Sequence, residues 1–282
     1  EFDKYVEEAE RMDREKKNSP LMLEMRFENS ELPALSAATL EKFVGFVVRQ
    51  VEFAALSKNS GVSLLGVRDV FQQLEAALMW TGEKCRAKII EALGFVCEDG
   101  RPPRQYSIPP TPDAPPQMDL RKFIDQGVWI IDTVYRYLAY TGDYSILDEP
   151  CGYYRFEKGI QKTDEITTVL EHLVRISRFL ISNIDEKTNC LHALYGDWND
   201  ALDGMGVSSD GSKEFGTGVS VMATLQLYHN MTEMGEILAE TDKKEALPTA
   251  EVKKRLERGL TEYALVRESA GRRILHGWGD ER

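Results

Sequence analysis

The stretch DLRKFIDQGVWIIDTVYRYLAY, residues 119–140, decides the fold class. Ile124, Val128, Ile131, Tyr135 and Leu138 recur at steps of four, three, four and three, which lays one apolar stripe along a helix. Thr141-Gly142 stops that helix, and YSILDE (144–149) reads as a further short turn. The same period appears on both sides. Leu40, Phe43, Val44, Val47, Val51 and Ala55 fall near one helical face between Leu40 and Leu56. Asp69–Trp80 and Lys84–Phe95 read as two helices separated by Thr81-Gly82, with Thr81 as N-cap of the second. Ile166, Leu170, Leu173, Ile176 and Leu180 make a stripe between Thr163 and Ile184. Val219–Ala239 and Ala250–Leu265 complete the series, joined by the charged turn ETDKKEALPTA. Strand patterns are scarce. The expectation is therefore an all-α chain of helices in antiparallel pairs. An α-solenoid would repeat with a period of roughly 34–42 residues, and no such repeat is present. An α/α barrel, with loops gathered at one end of helical hairpins, needs no repeat and is the favoured architecture.

Composition narrows the function classes. The 282 residues carry 35 Lys+Arg against 47 Asp+Glu, a net charge of −12, and are 42% hydrophobic and 9% aromatic. That is too much apolar content for a disordered tail and enough for a large core, in one large domain or two ordinary ones. An acidic chain is a poor non-specific partner for nucleic acid or anionic lipid, so neither nucleic-acid nor membrane binding is expected. Cys85, Cys97, Cys151 and Cys190 form no C-x-x-C pair, and the four His are scattered, so no metal spacing is legible. With neither a leader-like segment nor an apolar run of membrane length, a reduced, cytoplasmic protein is the simplest reading. The chain begins at Glu1 inside a charged helical stretch and ends in LHGWGDER, which fits a piece of a longer polypeptide.

Two irregular stretches are long for a helical domain, 101–117 and 196–218, and such loops are usually functional or disordered. The second opens with GDWNDALDG (196–204), three carboxylates, an amide and a Trp within nine residues. Three readings stand. The run can be a cation loop, although the EF-hand spacing is absent. It can be a sugar site, with the Trp198 indole packed on a pyranose and Asn199 and Asp200 meeting hydroxyls. It can also be a surface turn around a half-buried Trp. A carboxylic acid beside an apolar ring is also suited to general acid chemistry.

Other positions stand out by local misfit. Arg68 opens a helix, where the dipole favours negative charge, with Asp69, Gln72 and Gln73 after it. An ion pair or a solvated helix end explains it equally well. Asp125 and Gln126 precede an apolar run, and Gly127 weakens the helix there; close ligand approach or tight helix packing would each explain a glycine at that position. Arg101, Arg104 and Gln105 offer cationic and amide groups in the proline-rich loop. His172 and His229 read as ordinary helix residues, His192 as a neighbour of the 196–204 loop, and His276 lies in an ambiguous final segment.

Taken in order, VRDVFQQLE (67–75), GRPPRQ (100–105), FIDQGVWI (123–130), TGDYSILDEPCGYY (141–154), LYGDWNDALDGMG (194–206) and GTGVSV (216–221) resemble glycoside hydrolase family 94. These are inverting disaccharide and oligosaccharide phosphorylases; within the family the sequence is most similar to those acting on 1,2-β-oligoglucans. The resemblance runs from about Leu40 to Arg282. It implies part of an (α/α)6 barrel over 36–282, incomplete at its C-terminal end, after a linker or leading helix in 1–35. It also implies no cofactor beyond phosphate as co-substrate, a β-gluco-oligosaccharide as partner and a homodimer in the whole protein. The last Asp of the family's DWND block, here Asp200, is implied as general acid. Trp198 is implied to line the reacting-sugar subsite, and Arg68 with Asp69 to contact that sugar near phosphate. The sequence departs from the family at Gln73 and Gln126, where carboxylates are usual, and keeps Asp125. These departures argue against cellobiose phosphorylase proper and shift the expected linkage or acceptor. An inverting hydrolase on the same barrel is the alternative; it needs a base about 6.5–9.5 Å from the acid, a role Asp125 or Asp69 would have to fill. A non-catalytic sugar-binding fragment is the third possibility.

Overall fold

The computed structural model describes residues 6–7, 11, 37–56, 64–111, 114–156, 159–241, 243, 246–269 and 271–280. The expected leading segment 1–35 falls almost wholly outside these residues. Six helices of eleven residues or more dominate: α1 (Ala37–Leu56), α2 (Val67–Leu93), α3 (Gln126–Thr141), α4 (Val169–Ser182), α5 (Val221–Glu240) and α6 (Thr249–Gly259). Helix α2 packs on α1 and α3, α5 on α3 and α6, and α4 on α3. This is the helix-on-helix packing of an (α/α)6 toroid, and no sheet closes among the described residues.

The stripe that announced α3 is buried as expected: Val128, Ile131 and Leu138 are at most 3% exposed. The helix starts later than its stripe, at Gln126, so Ile124 precedes it yet is fully buried. Gly142 at φ 67° closes α3, its N–H donating to the Leu138 carbonyl. Gly127 sits where a Cβ would stand 2.7 Å from Ile176 Cγ2 of α4. Tight packing between α3 and α4 accounts for this glycine.

Three local expectations need correction. Within Val67–Leu93 two helices meet across a kink at Thr81, whose backbone is non-helical at φ −143°, ψ 39°, so the break falls where the sequence puts it and only the cap differs. Thr81 does not cap the second helix; its hydroxyl donates back to the Ala77 carbonyl. Residues 160–168 are a strand, β5, paired with β4 (Pro150–Phe156) in a hairpin. The stripe therefore ran one turn too far: Ile166 is 68% exposed, and α4 begins at Val169 with Thr168 capping the Glu171 N–H. The β-branched run Ile166-Thr167-Thr168-Val169 favours the extended backbone there. Finally, α6 ends at Gly259 and passes through a π turn (Leu260–Ala264) into a hairpin of β7 (Leu265–Glu268) and β8 (Gly271–Ile274).

Three short pairings position the site. β1 (Leu65–Gly66), β2 (Gln105–Tyr106) and β3 (Met118–Asp119) form a small sheet at the start of α2. β6 (Val219–Ser220) pairs with β9 (Gly277–Trp278), and His192 bridges to Val219. Among the described residues no helix is long and apolar enough to cross a membrane.

Candidate functional site

Arg68 is the hub. It occupies the second position of α2, where Gly66 is the N-cap and Asp69 stands in the first turn. Its guanidinium, 11% exposed, donates to Asp125 Oδ2 at 3.2 Å, to the Asp197 carbonyl at 3.1 Å and to Asp200 Oδ1 at 3.1 Å. Its backbone N–H, one of the orphan donors of a helix start, donates to Gln126 Oε1 at 3.0 Å. Burial opposes the Arg68 charge, but Asp125 and Asp200 outweigh it and hold the guanidinium pKa above its ordinary value. The misfit of a cation at a helix start is thus resolved by acids from two other elements. The ion-pair explanation is correct, and the pair lies inside the predicted site.

Asp125 is wholly buried and fully engaged. Besides Arg68 it accepts from Trp129 Nε1 at 3.2 Å and from Gln126 Nε2 at 3.1 Å. Burial pushes its pKa up to about 6 against the opposing pull of Arg68. The Gln126 amide thereby ties its neighbour to the Arg68 backbone, so both residues of the DQ pair serve the same contact.

The 196–218 loop is ordered by its own polar anchors. Asp197, also wholly buried, accepts from the Ser220 hydroxyl at 2.6 Å and the Asn199 N–H at 2.8 Å, with His276 Nε2 at 3.2 Å. Farther along, Asp280 accepts from the Ser209 and Thr217 N–H groups at 2.8 and 2.6 Å, which holds its carboxyl far below the usual range. Between these anchors a single 3-10 turn, Asp200–Leu202, is capped by the Asn199 side chain. It lifts Trp198 and Asp200 to the surface, 53% exposed for the indole residue and 59% for the Asp200 side chain. The carboxylates of this loop point to different partners, and among the described residues they form no cation-binding group.

Arg104 approaches from the β1–β2–β3 sheet. Its backbone accepts from Val67 and donates to Asp119, its guanidinium lies 4.5 Å over the Phe123 ring, and its NH2 is 3.8 Å from Asp200 Oδ1. Two guanidiniums therefore converge on one exposed carboxylate oxygen.

The fold brings Arg68, Asp125, Gln126, Arg104, Asp200 and, at 3.9 Å from Arg68 Nε, Asp69 into one cluster, with Trp198 and Asn199 in the adjoining turn. It places others differently. Gln73 is exposed in an open groove between α1 and α2, with Val51, Ala54, Asp69 and Gln72. Gln105 acts through its backbone, pairing with Gly66 and Asp119. Asp197, Ser220, His276 and Trp129 were not predicted. Asp197 sits in the same GDWND run and Ser220 in the GTGVSV block, so a signal existed for both; His276 had none. His172 is an ordinary core histidine, stacked on Tyr153 at 3.9 Å and bonded to the Thr168 and Gly152 carbonyls.

This cluster lies within the region, residues 42–269, that matches the profile of the glycosyl hydrolase 94 superfamily catalytic domain. The chain belongs to that family. Its glycosyl hydrolase 94 relatives include a solabiose phosphorylase from Paenibacillus borealis, 32% identical over 182 residues, which are 64% of this chain and 20% of the relative. The chain thus spans about a fifth of that curated relative's length. Among solved structures, a family 105 glycoside hydrolase from C. acetobutylicum ATCC 824 superposes with a TM-score of 0.53 at 8% identity, covering 82% of this chain and 59% of that one. A metal-independent α-mannosidase from Streptococcus pneumoniae gives 0.52 at 12% identity, covering 85% and 64%. At such identities these two show the shared fold of this glycosyl hydrolase 94 domain and nothing about its substrate.

Proposed function

We propose that the parent protein is an inverting phosphorylase that cleaves β-1,2-linked gluco-oligosaccharides with inorganic phosphate, releasing α-glucose 1-phosphate and a shortened oligosaccharide. Family membership supports the reaction class, and residues 36–282 are read as part of the catalytic barrel. One observation carries the choice of phosphorolysis over hydrolysis. Arg68 and Arg104 converge on Asp200 (3.1 and 3.8 Å), while Asp125 is sequestered by Arg68, Gln126 and Trp129 with no exposure.

An inverting hydrolase needs a second carboxylate to deprotonate water. Asp125 is unsuited to that task, because each of its oxygens already accepts from a buried donor. Phosphate needs no such base, being an anion at neutral pH. It needs cations, and in this −12 chain they have to be local. In the structure the Asp200 carboxylate is one counter-anion of each guanidinium, beside Asp125 at Arg68 and Asp119 at Arg104. A phosphate taking those donors releases Asp200 to hold a proton for the leaving group.

The bond changes follow. A phosphate oxygen attacks C1 from the face opposite the leaving oxygen, the C1–O bond breaks, and Asp200 gives its proton to the departing hydroxyl. The product phosphate monoester loses a proton to solvent, and Asp200 is reprotonated. Trp198, exposed beside Asp200, stacks on the reacting ring and keeps water from the developing oxocarbenium ion. Asn199 caps the turn that holds both.

The test is incubation of the parent protein with sophorotriose, with and without phosphate, measuring glucose 1-phosphate and free glucose. Glucose 1-phosphate formed only with phosphate is expected. Glucose release independent of phosphate would sink the reading in favour of hydrolysis.

A further inference from the structure

A second cluster of charge lies where α2, α3 and α5 meet, and the proposed reaction does not use it. Glu75 of α2, Asp132 of α3 and Glu233 of α5 face Arg136, whose Nε is 2.9 Å from Asp132 Oδ2 and 3.2 Å from Glu75 Oε1. One guanidinium, 44% exposed, stands against three carboxyl groups. Glu233 is 2% exposed. Its Oε2 accepts from Asn230 Nδ2 at 2.8 Å, whereas Oε1 is buried and accepts no hydrogen bond. Asn230 Oδ1 beside it is likewise buried without a donor. Buried acceptors left unbonded are rare in native proteins, and two in neighbouring residues call for a hydrogen-bond donor or a cation.

His229 supplies the missing kind of group. It precedes Glu233 by one turn of α5, so both side chains lie on the same face. Its Nε2 faces Glu233 Oε1 at 3.1 Å without the geometry of a hydrogen bond. One ligand atom from each of Asp132, His229 and Glu233 lies within 4.8 Å of the other two. Two ligands of one tetrahedral zinc, each about 2.0–2.2 Å from the metal, stand roughly 3.3–3.6 Å apart. The existing 3.1 Å separation is close to that already.

We propose that Asp132, His229 and Glu233 form a zinc site that clamps α3 to α5. A mixed imidazole and carboxylate set favours a first-row transition ion over calcium or magnesium, and zinc commonly takes three protein ligands and a water. His229 is 64% exposed, which gives the ion a path in from solvent and leaves the fourth position for water. The linear sequence hid the site because two of its ligands are carboxylates and they come from two helices.

The experiment is calorimetric titration of zinc chloride into chelator-treated protein, for wild type, His229→Ala and Glu233→Gln, with thermal melts on the same samples. Wild type is expected to bind one zinc and melt at a higher temperature with it. Loss of a residue that only supports a ligand commonly costs 10- to 100-fold in affinity, so His229→Ala is expected to weaken binding by at least about tenfold. His229 is exposed, so this variant keeps the test sound even where Glu233→Gln folds poorly. Zinc binding undiminished in His229→Ala, as it would be if the buried cysteines held the ion, overturns the proposal. So does an absence of zinc binding by wild type. Equal competition by calcium overturns the choice of metal.

Discussion

The floor of the candidate site and its rim are held by the same guanidinium, yet they are opposite environments. At the floor, Asp125 is completely buried and every polar atom of its carboxylate is engaged by Arg68, Gln126 or Trp129. At the rim, Asp200 meets Arg68 at a similar distance but keeps 59% of its side chain exposed on a short 3-10 turn. Under the proposed mechanism the difference separates holding from reacting. A carboxylate that has to give up a proton to a sugar needs access and a replaceable partner; one that fixes an arginine needs neither.

That contrast can be broken most severely at the rim. Asp200→Asn is expected to lower phosphorolysis by roughly 10²–10⁴-fold, the usual worth of a positioned proton donor, with little change in melting temperature. Full activity in that variant would remove Asp200 from the role. The hub comes next. Arg68→Met leaves Asp125 buried without its counter-charge, which typically costs about 3–5 kcal/mol, and chemical denaturation should show it. A loss of activity with unchanged stability would mean that the floor does not depend on this pair.

The floor also has a pH signature. Asp125 titrates near 4 in an unfolded chain and at about 6 in the folded one. A carboxyl with a raised folded pKa contributes stability that is complete below the unfolded value and is lost as pH rises through the folded value. Relative to Asp125→Asn, the wild type should therefore lose up to about 3 kcal/mol between pH 4 and 7, measured as the difference between their denaturation free energies. A difference that stays flat with pH, or grows in favour of wild type, contradicts the burial argument. The smallest effect belongs to Gly127→Ala. Overpacking against Ile176 costs about 1–3 kcal/mol, of which helix propensity returns up to about 1. Unchanged stability with a raised KM would restore a ligand-contact role for this glycine.

The helical periodicity made most of the fold legible, because a buried helix face writes itself into the chain every three or four residues. It failed where two periods share residues. Ile166 keeps phase with the α4 stripe although it lies in a strand. At the site, Arg68 and Asp200 were visible as residues out of keeping with their surroundings and as members of family motifs. Asp197 does not stand out in the sequence, since nothing in GDWND distinguishes the inward carboxylate from the outward one. Only the fold shows that Ser220 and His276 claim Asp197. The Asp132, His229 and Glu233 group was invisible for a related reason: Asp132 lies about a hundred residues before the other two in the chain.

The pairing of Val219-Ser220 with Gly277-Trp278 carries a consequence for the order of assembly. It brings His276 to Asp197, 79 positions away, while Arg68 reaches the Asp197 carbonyl across 129. Contacts of that span pay their loop-closure entropy before they gain anything, so they form after the local helices. During synthesis, α2 leaves the ribosome with Arg68 already at its tip, but the loop bearing Asp200 gains its last anchors only when residues 276–280 emerge. The turn bearing Asp200 should therefore settle after the local helices, and a pulse-labelling experiment on refolding protein should find the amides of 197–217 protected later than those of α3.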